Sequence, residues 1–192
     1  MKMRLRRLFA VIITAFAAGA CTPESIRHLP ENLRIPADAR LIGQWRAQVL
    51  GNQHEATVTA GDDDTLVVAL RSATIPSAGV APWETRHVLS FFDVNGTRVI
   101  AEHGPGMVDG NPVYRYATYD VGTDGAVTLR YASQTEFSRY ILSLRLQAEI
   151  RSHGPVFYDF LMTAYANEIL RVLRAVPPAR MYDVSFGPFV RQ

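Results

Sequence analysis

Few residues in this chain have the type and spacing that chemistry requires. Five histidines are present, His28, His54, His87, His103 and His153. None pairs with another at metal-ligand spacing, so no zinc site is expected. Asp62-Asp63-Asp64 offers oxygen donors for Ca²⁺, but without the spaced ligands of a dedicated loop it reads as an acidic turn. No Gly-x-Ser-x-Gly elbow occurs, and scattered Ser, His and Asp do not define a triad. Gly104-Pro105-Gly106 has no following helix to cradle a phosphate, and is expected to be a loop. Tyr114, Tyr116 and Tyr119 combine an apolar ring with a hydroxyl. They fit either a ligand wall or a surface that receives a packed helix. The expectation is a protein without catalytic residues, metal or other cofactor. The one reactive group left is the single thiol, Cys21.

Cys21 stands at the end of a targeting segment. Lys2, Arg4, Arg6 and Arg7 make a basic start without an acidic residue. Leu8 to Ala18 is apolar apart from Thr14, and Ala17, Ala18, Gly19 and Ala20 follow. This is a signal-peptide pattern. The apolar run is about half of the ~20 residues that a spanning helix needs. Subtracting the four basic residues of 1–20 leaves sixteen basic against eighteen acidic residues, a net charge of −2. The pI of about 8.8 is therefore partly the signal's. It is no nucleic-acid footprint.

Ala18-Gly19-Ala20-Cys21 resembles the lipobox of bacterial lipoproteins, although that family prefers Leu where Ala18 stands. The resemblance implies cleavage before Cys21, a diacylglycerol on its sulfur and acylation of the new amino group. The alternative is an ordinary secretory signal with an incidental cysteine. A lone thiol in an oxidising compartment is a liability unless it is consumed, and lipidation consumes it. Thr22, rather than Asp, at the next position implies by the same resemblance an outer-membrane location facing the periplasm. The implied partner is the membrane, through a lipid anchor.

The elements that must position any site come next. Prolines 23, 30 and 36 and the lack of periodicity mark 21–40 as a lipidated tether. From Leu41 the pattern has period two. Trp45, Ala47 and Val49 share a face, as do Ala56 and Val58, then Leu66, Val68 and Leu70, then His87, Leu89 and Phe91. Asn95-Gly96 is a strong hairpin signal. Further strands are expected at 98–101, 113–121 and 126–131, with a loop at 104–112 between the first two. These seven short strands, joined mostly by turns, read as an antiparallel meander or barrel. The period then becomes helical at Phe137, Tyr140, Ile141, Leu144 and Ala148. Gly154-Pro155 is expected to separate this helix from a second one, running from Phe157 to Val176. Residues 181–190 form a last extended piece. The fold class is mainly β, an antiparallel barrel or half-barrel of seven to eight strands with a two-helix C-terminal segment, in a domain spanning 41–192.

Gly43-Gln44-Trp45 at the start of the first barrel strand resembles the Gly-x-Trp signature of lipocalins. The order of meander, helix and terminal strand is similar too. The family's Thr-Asp-Tyr motif is absent, and Thr118-Tyr119-Asp120 is not a substitute for it. The resemblance implies an eight-stranded barrel in which Trp45 closes one end, stacked by a late arginine, Arg130 or Arg191. It also implies a small apolar or amphipathic ligand, for which Trp45, Phe91, Tyr114 and Tyr116 are the candidate residues. The competing expectation is a non-catalytic assembly lipoprotein that docks on another envelope protein. The tether, the Gly/Pro-rich loops and the aromatic run Phe157-Tyr158-Asp159-Phe160 suggest it.

Overall fold

The structure is a computed structural model that describes residues 22–49, 52–73, 83–152 and 158–192. The signal segment, Cys21, Gly51, the loop holding Pro76, Gly79 and Pro82, and Gly154, Pro155 and Phe157 lie outside these residues.

In chain order the elements are β1 (Glu24–Ser25), β2 (Arg34–Ile35), β3 (Gly43–Val49), β4 (Asn52–Ala60), β5 (Leu66–Ala73), β6 (Trp83–Val94), β7 (Thr97–Val108), β8 (Asn111–Val121) and β9 (Val127–Tyr131). Then come α1 (Gln134–Leu144), β10 (Ala148–Ser152), β11 (Tyr158–Met162), α2 (Ala166–Ala175), α3 (Pro178–Met181) and β12 (Val184–Arg191). Strands β3 to β9 pair antiparallel, each with the next. β12 then enters between β9 and β3 and closes an eight-stranded antiparallel barrel. The last extended piece of the chain is thus the closing stave. Closure leaves none of these strands with a free edge along its whole length.

Alternation along each strand separates two apolar cores. Trp45, Ala47, Ala56, Val58, Leu66, Leu89, Phe91, Ile100, Ala117, Val127 and Phe189 point inward. Phe92, Val94, Val99, Ala101 and Tyr116 point outward from β6, β7 and β8, and the helices cover them with Phe137, Ile141, Ile169, Val172 and Leu173. That is why Phe91-Phe92 and Val99-Ile100-Ala101 are apolar at consecutive positions: both faces of these strands are buried. α1 is capped by Ser133, whose hydroxyl accepts from the Glu136 amide at 3.4 Å. It stops at Arg145, in left-handed conformation at φ 52°.

Three expectations need correction. Residues 22–40 are not a free tether. β1 is clamped between β8 and β11, and β2 pairs with β6. Leu29 is 2% exposed in the outer core, and the Tyr116 hydroxyl donates to the Arg27 carbonyl at 2.6 Å. The prolines break the segment into short pieces, and the pieces are pinned one by one. The first helix ends at Leu144, short of Ala148, and the second begins at Ala166, because the chain between them forms β10 and then β11, which lies between β10 and β1. Leu161 and Met162 are both buried, and a short run buried on both faces carries no period to tell strand from helix. Finally, 104–108 belongs to β7 and 111–112 to β8. His103 is the last β7 residue paired with β6, and beyond an irregularity Met107 and Val108 pair with Pro112 and Asn111 as a projecting hairpin.

Candidate functional site

The inward core is not completely filled. A cavity of about 80 Å³ lies among the inward-facing residues of the barrel. Leu41 and Trp45 bound it at one end, and Ala56, Val58, Val68, Leu70, Leu89, Val127, Leu129, Phe186 and Phe189 form apolar walls. Among the described residues, the polar ones lining it are His87, Glu102 and Tyr131. Its volume is below the ~150 Å³ of an engineered cavity that takes benzene, so in this conformation it suits a small molecule.

The closed end is built around Trp45, 4% exposed. The 3-10 turn Ala39–Leu41 brings the Leu41 carbonyl to the indole, which donates Nε1–H to it at 2.8 Å. The Arg191 guanidinium stacks 4.7 Å from the ring centroid and donates from Nη2 to the Arg40 carbonyl at 2.6 Å. Of the two arginines expected at this position, Arg191 occupies it. Arg130 pairs instead with Asp120 at 2.7 Å on the surface. The glycine of Gly-x-Trp also has a physical role. Gly43 has φ of +147°, a conformation L side chains rarely adopt, and a Cβ there would stand 3.4 Å from Arg191 Nη1.

Next to this end lies a polar cluster centred on Asp38, itself buried. Its carboxylate accepts from Arg40 Nη2 at 2.6 Å, from the Tyr119 hydroxyl at 2.6 Å and from Arg98 Nη1 at 3.2 Å. The hydrogen bonds from Arg40 outweigh burial and, with Tyr119, hold the carboxyl far below its ordinary range. The cluster bolts the N-terminal segment to β7 and β8. It is stabilising architecture, because each of its groups is already satisfied by another.

The polar wall of the cavity is different. Glu102 on β7 and His87 on β6 both face inward, and His87 Nδ1 lies 2.6 Å from Glu102 Oε1. On its other side, His87 Nε2 lies 2.7 Å from Thr85 Oγ1. The Tyr131 hydroxyl bonds to Glu102, and Arg115 adds its charge nearby while pairing with Glu24 at 2.6 Å. Burial alone would push the Glu102 carboxyl up, but His87, Arg115 and Tyr131 together hold it below its usual value. The Tyr131 phenol is driven well up, by burial first and then by the Glu102 carboxylate beside it. A carboxylate therefore persists inside an apolar barrel because three neighbours solvate it. Toward the same end, His54 is 5% exposed with neither ring nitrogen hydrogen-bonded. It packs edge-on against Phe186 at 5.4 Å and near Trp83 at 6.1 Å. Burial lowers its pKa.

Of the four candidate ligand residues, Trp45 lines the cavity. Phe91 is 0% exposed in the same inner core, edge-on to Tyr119, without lining the cavity. Tyr116 faces the other way and stacks on Phe137, with ring centroids 6.5 Å apart. Tyr114 shares that outer face, between His28 and His103. Tyr116 thus receives helix α1, Tyr114 packs against His28 and His103, and neither lines the cavity. Sequence reasoning passed over His87, Glu102 and Tyr131 as site residues. A signal was present: each shares the inward register of its strand with buried apolar residues, Leu89 and Phe91 on β6, Ile100 on β7 and Val127 on β9. Among the described residues, no group of three His, Cys, Asp or Glu side chains is placed to hold a metal. No protein-family model, no curated protein and no solved structure matches this chain.

Proposed function

We propose that this chain is a lipoprotein of the bacterial cell envelope, anchored through acylated Cys21 to the outer membrane and facing the periplasm, and that its barrel binds a small amphipathic ligand. The observation that carries the binding half is the cavity inside a closed barrel, apolar on most sides and lined at one wall by His87, Glu102 and Tyr131. Barrels of about eight strands have room for one small ligand. The anchoring half rests on the basic, apolar and small-residue order that ends at Cys21. Acyl chains contribute about 0.8 kcal/mol per buried CH₂, so several on one cysteine make a firm anchor. Thr22 is already buried and β1 starts at Glu24. The anchor is therefore joined to the fold with no spacer, and the barrel rides close to the lipid.

Two experiments test the two halves. Growth with an alkyne fatty acid labels the wild-type protein and not Cys21→Ser; equal labelling removes the anchor. Trp45 bounds the cavity, so titration with small apolar compounds changes tryptophan emission; emission unmoved across a panel of such compounds speaks against the ligand. A second reading, docking on another envelope protein, draws on β10. Among the described residues it pairs only with β11, and Ile150 on it is 69% exposed. A photocrosslinker at residue 150 that captures one specific envelope protein favours that reading.

A further inference from the structure

The charge and hydrogen-bonding state of the polar wall restricts what the cavity accepts. This inference rests on the reading of the cavity as a ligand site. Glu102 and Glu24 are carboxylates and Arg115 is a cation. His87 is either neutral or singly charged. Whichever state His87 takes, these four groups sum to a negative or zero charge and never to a positive one. Arg115 is engaged by Glu24, and it does not line the cavity. The donors on this wall face acceptors of the wall itself. His87 Nδ1 lies 2.6 Å from Glu102 Oε1 and its Nε2 lies 2.7 Å from Thr85 Oγ1, and Tyr131 interacts with Glu102. What remains is acceptor capacity. A carboxylate has about four lone-pair sites, and the contacts from His87 and Tyr131 leave some of them free toward the cavity.

We infer that the barrel selects a short apolar molecule ending in an N–H or O–H donor, an amine or alcohol, and rejects a carboxylate-ended one. The apolar part lies against Leu70, Leu89, Leu129 and Phe186, and the donor end points to Glu102. A carboxylate placed there meets another carboxylate in a low-dielectric interior, and the nearby guanidinium of Arg115 is already engaged by Glu24.

The test compares butylamine, butanol and butyrate, which share a short alkyl chain and differ in their end group. They are titrated into protein of residues 22–192, which holds every described element, and followed by the indole N–H resonances of Trp45 and Trp83. The expected result is that butylamine and butanol bind and that butyrate binds at least tenfold more weakly. Glu102→Gln is expected to reduce the amine-to-butyrate ratio to within about threefold, provided its spectrum stays dispersed. If that variant does not fold, the wild-type ratio decides alone. Butyrate binding as tightly as butylamine overturns the selectivity and leaves the cavity a ligand site. Failure of all three compounds to bind overturns both the selectivity and the site.

Discussion

Replacing Arg191 with alanine removes the stack that closes the barrel at Trp45. The guanidinium lies 4.7 Å from the indole centroid and donates to the Arg40 carbonyl at 2.6 Å. Arg191 is exposed, so the cation–π contact contributes about 0.5–1 kcal/mol. The hydrogen bond, also exposed, adds roughly 0.5–1 kcal/mol. Arg191 is moreover the last residue of β12 paired to β3, opposite Trp45, so its loss frays the closing seam without unfolding it. The expected cost is about 1–2 kcal/mol, or a Tm lower by about 3–6 °C for a domain of this size. Urea unfolding of residues 22–192, followed by tryptophan emission, measures it, with an unchanged slope showing that only stability moved. Arg130→Ala is the control, because its exposed pair with Asp120 is worth under about 0.5 kcal/mol. An Arg191→Ala cost no greater than that of Arg130→Ala refutes the assignment of Arg191 as the closing cation.

Three further outcomes follow from the same packing. Phe91→Ala empties a fully buried site in the inner core and is expected to cost about 3–5 kcal/mol in urea unfolding. Leu29→Ala is expected to cost about 2–4 kcal/mol, since this residue of the N-terminal segment lies in the outer core; a free tether there would give no measurable change. Burial is the largest influence on both His28 and His54 and lowers the pKa of each. The unfolded chain therefore binds protons at these sites before the folded one does, and stability falls as pH drops below about 6.5, ahead of the carboxylate loss that begins below about 4. His54→Phe is expected to flatten the first part of that decline in a Tm-against-pH series. An unchanged decline shows that His54 is not its source.

The barrel was legible in the sequence because its strands are half-buried and alternate. Trp45, Ala47, Val58, Val68, Leu70 and Leu89 all sit where period two places them. Gly43-x-Trp45 told which strand comes first, and the late-arginine expectation reached Arg191 as one of two choices. What escaped has common causes. β11 and the N-terminal segment are held by long-range pairing, β1 with β8 and β11 and β2 with β6, for which a local window holds no signal. The projecting β7–β8 hairpin is rich in glycine and proline, the residues that normally punctuate a chain. The polar wall escaped for a further reason. Glu102 is remote in sequence from His87 and Tyr131, and only the arrangement of the strands brings them together in space. Tyr114 and Tyr116 were attractive as ligand residues because aromatic hydroxyls suit a binding wall, yet β8 is covered on both faces. Alternation separates the two faces of such a strand without telling which one is the inside.

Native mass spectrometry of residues 22–192, purified from the periplasm without detergent, tests the binding proposal most directly. A reproducible adduct of one discrete mass, lost on denaturation and lost when Leu70→Trp fills the cavity, is the predicted result. A bare protein mass under conditions that keep the barrel folded, unchanged by Leu70→Trp, would contradict it.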